Sequence, residues 1–394
     1  MSGFLSNPLS LSYSVRHLRV RKLQAAMTVF GIALVVFVFS ATLMLAEGLK
    51  QTLSATGSPA NVIVLRTGAQ NEIQSGISRE HAAIVLTDPA VDHGPSSSTA
   101  ATSDVVVLVS LRKRSDGQTS NVNIRGVTGG ALEVHPAVHI VEGRLPSPGT
   151  REVMIGTAIH KKFLGTDVGQ TLRLVGSDWL ITGIFDAGNT AFSSEVWGDA
   201  DVMMPAFRRD RFSSVTFRMS QGTDFEALRD KLQNDRRLSV TVQREAEFYE
   251  SQSRSLSLFI QILGGFISVV FSLGAIVGAM ITMYSSVANR TREIGVLRAL
   301  GFSRGLIFRA FTKECVLISL LGGAIGIVVA SLLQWFTLAT TNFATFSEVA
   351  FGFNLTPRII LSAFVFAAVM GFVGGALPAL RAARIGIVQA LRAK

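Results

Sequence analysis

Residues 25–46 read AAMTVFGIALVVFVFSATLMLA, a run from Ala25 to Ala46 that carries no charge over 22 residues. At 1.5 Å per residue such a helix is about 33 Å long, enough to cross a hydrocarbon core of about 30 Å. A cleavable leader has a shorter apolar region and a small-x-small cleavage site. None precedes Glu47, so the segment reads as an uncleaved anchor. Three further apolar runs follow, at 256–288, 315–343 and 359–380. The sequence thus specifies an α-helical membrane protein with four transmembrane helices and an inserted α+β extracytoplasmic domain between helices 1 and 2. It divides into an N-terminal segment 1–24, the first span 25–47, the outer domain 48–255, the second span 256–288 and a loop 289–314. The third span 315–343, a short external loop 344–358, the fourth span 359–380 and a tail 381–394 complete it.

Composition points the same way. Only 16% of the 394 residues are charged, against about 25% in average soluble chains. The net charge is +10, and its distribution decides what it means. Residues 48–255 hold 22 Lys/Arg against 23 Asp/Glu, whereas the rest of the chain holds 15 against 4, namely Glu47, Glu293, Glu314 and Glu348. No basic stretch is interleaved with stacking aromatics, which argues against nucleic acid as a partner. The cations flank the spans instead. Arg16, Arg19, Arg21 and Lys22 precede the first, and Arg290, Arg292, Arg298, Arg304, Arg309 and Lys313 separate the second from the third. Arg381, Arg384, Arg392 and Lys394 follow the fourth, and Arg358 stands alone in the 344–358 loop. The positive-inside bias puts both termini and the 289–314 loop in the cytoplasm, and the large domain outside. Cys315 is the only cysteine, which leaves no intrachain disulfide and no cysteine metal site.

The spans carry small-xxx-small pairs at Gly274/Gly278, Gly322/Gly326 and Gly371/Gly375, which let helix backbones approach closely. Their interiors hold no Asp, Glu, Lys or Arg, the groups that ion-driven transporters use as relays. In the outer domain, strand-like runs occur at 61–65, 105–111, 121–127, 152–155, 171–175, 179–184, 202–204, 215–219 and 240–242, with a helix over 224–234. Residues 89–104, rich in Pro, Ser, Thr and Ala, read as a flexible joint. Residues 47–56 and 245–255 have helical composition and extend spans one and two outward as a stalk. No G-x-x-x-x-G-K-[ST] phosphate loop and no G-x-S-x-G elbow is present, and Pro136 spoils the helix that would align His135 with His139 as metal ligands.

The loop between spans two and three is the most informative stretch. Thr291–Leu300 reads as a short helix stopped by Gly301, with Ile294, Leu297 and Leu300 on one face and Arg292, Glu293 and Arg298 around it. Ser303 then caps a second helix running through Arg309 and Lys313 into span three. By amphipathicity alone such a helix equally suits a membrane surface. The run R-x-R-E-I-G-V-L-R-A-L-G-F-S-R, however, together with Glu314 and Gly322-Gly323-Ala324-Ile325-Gly326, resembles the MacB/FtsX-type ABC transporter permeases. Asn7-Pro8-Leu9, Arg21-Lys22-Leu23, Thr28–Ile32, Gly371–Arg384 and the closing Ala390-Leu391-Arg392 extend the likeness. A departure is Ile387, where the family often has proline.

The resemblance implies an inner-membrane permease with a periplasmic domain that works as a dimer, with a second copy or a paralogue, and recruits a separate ABC ATPase. That subunit, not this chain, binds ATP and Mg. Arg292, Glu293, Ile294, Gly295, Leu297, Arg298, Ala299, Leu300 and Gly301 form the ATPase-coupling segment on this analogy, and a periplasmic adaptor and membrane lipids are further partners. The implied activity is export or extraction of an amphiphile or lipoprotein by mechanotransmission. The alternative is a cell-division-type transmitter that activates an envelope hydrolase and moves no cargo.

Overall fold

The computed structural model of the chain describes residues 22–92, 99–341 and 345–387. Asn7–Leu9, Arg16, Arg19, Arg21 and Ala390–Arg392 lie outside the described residues. The chain divides into two compact units. One comprises Met1–Glu47, Phe259–Phe336 and Phe353–Lys394, the other Gly48–Leu258 and Thr337–Gly352.

The first unit is helical. Lys22–Ser54, Glu245–Asn289, Arg304–Ser331 and Pro357–Arg384 are long helices, and each contains a stretch apolar enough to cross a membrane. Local chemistry sets their ends. Ser303 caps the third by accepting from the Leu306 N–H, and Thr356 caps the fourth by accepting from the Ile359 N–H, with Pro357 in the first turn, where its missing N–H costs nothing. The third helix stops short of the expected span 315–343. A 3₁₀ turn, Leu332–Trp335, follows it, and Thr337–Thr341 is a strand. The threonine-rich run TLATT favours extended backbone, and residues 348–352 of the expected 344–358 loop supply its antiparallel partner.

Lipid gives helices no hydrophobic reason to associate, so close backbone approach must do it. A methyl group added at Gly322 would lie 2.9 Å from the Val29 carbonyl oxygen, and one at Gly326 would lie 2.5 Å from that of Ala33. These glycines seat the third helix on the first. At Gly371 the added carbon would collide with Ser319 Oγ, and at Gly375 it would meet Cys315 Cβ at 2.6 Å, so that pair seats the fourth helix on the third. Gly274 and Gly278 face open space. Along the same seams Ile32, Val35 and Val36 pack with Ile327, Ala363, Ala367 and Met370.

The second unit is built on a ten-stranded sheet. In chain order its strands are β1 (Asn61–Arg66), β2 (Ala101–Arg112), β3 (Thr119–Val127), β4 (His139–Gly143), β5 (Glu152–Gly156), β6 (Thr171–Leu174), β7 (Ser177–Asp186), β8 (Glu195–Asp199), β9 (Ser214–Arg218) and β10 (Val240–Arg244). Their order is β10-β1-β9-β2-β3-β8-β5-β7-β4, with β6 on β7. The hairpin strands β11 (Thr337–Thr341) and β12 (Glu348–Gly352) form a separate pair. β2 serves both halves of the sheet: residues 101–104 pair with β9 and residues 105–112 with β3. It therefore begins inside the stretch 89–104 read as a flexible joint. Ala101–Asp104 are buried there, paired with β9, and the polar side chains among them are satisfied by Thr102 donating to Asp104 and Arg125 donating to Asp104. The run 202–204 is another correction. It lies in helix Ala200–Ala206, capped by Asp199 accepting from the Asp201 N–H, and three apolar residues are too few to separate the two periods. The expected helix at 224–234 forms as Phe225–Gln233, capped by Asp224.

The glycine seams predict an asymmetry. Gly326→Leu overpacks the contact with the first helix and should destabilise the purified chain by about 1–3 kcal/mol. Gly278→Leu, entering open space, should leave the thermal midpoint of the monomer in detergent unchanged.

Candidate functional site

The sequence points to the 289–314 loop, and the structure shows how it is held. The long helix ends at Asn289, and the Thr291 hydroxyl donates back to the Val287 and Ala288 carbonyls. Helix Thr291–Ala299 follows at once. It closes with paired backbone bonds: the Gly301 N–H donates to the Arg298 carbonyl and the Phe302 N–H to the Leu297 carbonyl. This Schellman closure needs a left-handed residue, and Gly301 supplies it at φ 95°. Ser303 then starts the third-span helix, so two capped helices meet in an elbow with no slack residues between them.

The elbow is anchored from inside. Ile294, 2% exposed, packs with Met283, Val287, Ile307, Phe311, Ala379, Ala382 and Ala383, and Gly295 is buried beside it. Arg290 Nη1 donates to Glu314 Oε2 at 3.0 Å, with both side chains 11% exposed, and its guanidinium lies over the Phe311 ring. Breaking such a partly buried pair on one side leaves an uncompensated charge.

The segment therefore has two sides. The sequence reading grouped Ile294, Leu297 and Leu300 on one face. The structure buries Ile294, half-buries Leu297 and leaves Leu300 72% exposed. Arg292, Glu293, Val296 and Ala299 are exposed with Leu300, while Arg298 is half-buried. Val296 was not singled out from the sequence, because its place on the outer side depends on which face the bundle takes. The helix-packing glycines split likewise: Gly322, Gly326, Gly371 and Gly375 lie in contacts, and Gly274 and Gly278 line an apolar cleft of about 570 Å³ with Gly31, Thr28 and Thr282.

The outer unit holds a second constellation that the sequence did not disclose. Arg125 on β3 is 1% exposed and meets three carboxylates. Its Nε and Nη2 donate to Glu195 on β8 at 2.7 and 3.0 Å, Nη1 and Nη2 to Glu72 at 2.7 and 2.9 Å, and Nη1 to Asp104 on β2 at 2.9 Å. The remaining valences are filled by Trp197 Nε1 to Glu195, the Ser214 and Tyr249 hydroxyls to Glu72, and the Thr102 hydroxyl to Asp104. Burial alone would raise the Glu72 carboxyl, but Arg125 together with the Ser214 and Tyr249 hydroxyls holds it below the ordinary range. For Asp104 burial wins over Arg125 and pushes it up to about 6. The network is closed to solvent and ties β2, β3, β8 and β9 to the head of the helix that returns to the membrane. That is a structural junction with no open face for a substrate. In the sequence each member looks like an ordinary charged residue of a solvated strand or loop. Among the described residues no His, Cys, Asp and Glu cluster suits a metal ion, and His135 and His139 part company, the first buried and the second exposed.

Residues 25–235 match the MacB-like periplasmic core domain family, and residues 265–387 match the FtsX-like permease C-terminal family. The pyoverdine export ATP-binding/permease protein PvdT of Pseudomonas savastanoi pv. phaseolicola is 26% identical over 94% of this chain and 57% of its own length. The macrolide export ATP-binding/permease protein MacB of Bdellovibrio bacteriovorus is 24% identical over 95% of this chain and 60% of its own. An uncharacterized ABC transporter permease of Bacillus subtilis, YknZ, is 25% identical over 72% of this chain and 73% of its own. The chain thus spans 57% and 60% of the length of these two ATP-binding/permease relatives. Among solved structures, the periplasmic region of MacB from Actinobacillus actinomycetemcomitans aligns at a TM-score of 0.38 with 11% identity, covering 52% of this chain and 96% of that one. The extracellular domain of YknZ aligns at 0.36 with 13% identity, covering 46% and 99%.

The Arg125 network makes two measurable statements. Arg125→Ala strands three buried carboxylates and should cost at least about 3–5 kcal/mol in denaturant unfolding followed by tryptophan fluorescence. Because the Asp104 carboxyl is raised in the folded state, its contribution is fully present below about 4 and is lost as pH rises through about 6. Asp104→Asn should flatten the stability profile across that window.

Proposed function

The chain belongs to the family that joins a MacB-like periplasmic core domain to an FtsX-like permease C-terminal domain, and from that premise we propose that it is the permease subunit of an ATP-driven export or extraction system of the mechanotransmission type. A separate ABC ATPase binds ATP and Mg and docks on the elbow at 291–301. Nucleotide-driven movement of that ATPase shifts the ends of the second and third spans as rigid bodies, with no channel through the bilayer required. The spans carry no ionisable relay of their own in their interiors, which accords with an external energy source.

One observation carries the reading: the exposed side of helix Thr291–Ala299. Its apolar inner side is already spent on the bundle through Ile294. What is left outward is a small patch, Val296 and Leu300, beside Arg292 and Glu293. A membrane-surface helix keeps a broad apolar face for lipid, and this one has none to spare. A compact apolar patch flanked by both signs of charge suits a groove on a soluble protein. The uncovered Gly274 and Gly278 are suited to helix contact with a second permease copy, either identical or a paralogue. With both termini in the cytoplasm and the sheet domain in the periplasm, a periplasmic adaptor and an amphiphilic cargo or lipoprotein are met on the outer side of the inner membrane.

Leu300→Asp tests this directly, because the residue is exposed and its loss should leave the fold intact. Co-purification with its partner ABC ATPase should fall at least tenfold and coupled ATP turnover should vanish, with the thermal midpoint unchanged. Retained ATPase binding and turnover in Leu300→Asp would overturn the proposal. So would labelling of a cysteine at position 300, in a Cys315→Ala background, by an impermeant maleimide added outside intact cells.

A further inference from the structure

The chain leaves its first long helix at Ser54 and enters the next at Glu245, and these two points meet inside the outer unit. Gly57 passes directly over the first residue of the return helix: a methyl group there would lie 2.5 Å from the Glu245 carbonyl oxygen. The 45-residue return helix is about 68 Å long, over twice a hydrocarbon core of about 30 Å, so its polar beginning lies well outside the apolar stretch that starts near Leu256. Glu245 is fully buried. Its Oε2 accepts from the Ser58 N–H at 2.9 Å and from Asn61 Nδ2 at 2.8 Å. Its Oε1 has no hydrogen-bond partner and stands 3.6 Å from His135 Nδ1. The His135 ring is shut in, edge-on to Phe192 and Trp197.

A buried carboxylate needs donors or a cation at both oxygens. Arg125, which faces the site, is already committed to Glu72, Asp104 and Glu195. The other groups around Glu245 do not help. Glu72 adds negative field. Arg244 turns its Nη1 to the Pro59 carbonyl, and Tyr249, one turn on, donates to Glu72. Asn61 and Ser58 serve only Oε2. Burial pushes the Glu245 carboxyl up to about 8, while burial and then Arg125 push the His135 imidazole down to about 3. The acid keeps its proton at neutral pH, and the imidazole beside it is neutral.

We propose that the Glu245 carboxyl carries its proton on the side facing His135, and that this neutral form keeps it buried in the joint where Ser58 and Asn61, just past the first long helix, bind the head of the return helix. Acidity outside the membrane tightens the joint and alkalinity releases it. The joint is independent of what drives the permease.

A carboxyl that holds its proton more tightly in the closed joint than in water stabilises closure fully below about 4.5. That stabilisation is lost as pH rises through about 8, so the opening equilibrium grows about tenfold per pH unit between those limits. Hydrogen exchange on the full chain in nanodiscs reads this in amides 55–58, 60, 61 and 246–251, as protection corrected for intrinsic exchange. Wild type should lose about a hundredfold of protection between about pH 5.5 and 7.5, and Glu245→Gln should stay flat across the same range. Difference infrared spectroscopy on wild type should show a protonated-carboxyl band that disappears near pH 8, which keeps the test decisive if Glu245→Gln fails to fold. Protection in wild type that is flat with pH, an unchanged slope in Glu245→Gln, or no carboxyl band titrating near 8 each overturns the proposal.

Discussion

Inside a bilayer, apolar side chains gain nothing by leaving lipid for one another, so the membrane unit rests on how closely its backbones can approach. Glycine decides that distance. Gly322 and Gly326 admit the first helix to the third, and Gly371 and Gly375 admit the third to the fourth, each at a separation that no larger residue permits. Once those seams are set, the end of the third-span helix has a fixed place beside the last turns of the return helix. The pocket of Ile307, Phe311, Ala379 and Ala383 that receives Ile294 then follows.

The outer unit obeys the opposite rule. Water drives its apolar strands inward, and a cluster of Val, Ile, Leu, Phe and Trp side chains fills the sheet's faces. Within that core sits Arg125 with Glu72, Asp104 and Glu195. A buried ion network of this kind is weak evidence for stability, because desolvation consumes most of what the charges gain. Its members come from separate strands and from the loop bearing Glu72, and each is satisfied only when all are in register. That makes it a device for specifying one arrangement of strands β2, β3, β8 and β9.

The elbow at 289–304 combines commitment and availability in one short helix. Its inner side is fixed by Ile294 and by the Arg290–Glu314 pair, and its end is fixed by the Schellman closure at Gly301. A partner binding to such a backbone would cost it little conformational freedom.

The sequence by itself determined the four apolar helices, the inserted α+β domain, most of its strands, and the caps at Ser303, Asp224 and Gly301. Each of these is written in local signals: uncharged length, alternation, and the few residues that fit a cap or a left-handed turn. The family was legible in the same way, because the loop motif is contiguous. Tertiary structure alone decided the rest. It turned 202–204 into a helix and 337–341 into a strand, where runs of three and five residues carry no decisive period. It gave Ile294 to the core and Val296 and Leu300 to the surface, since an amphipathic helix does not announce which side its neighbours will take. It brought Arg125, Glu72, Asp104 and Glu195 together across more than a hundred residues. Charged residues far apart in a chain look like solvated surface until folding removes the water between them.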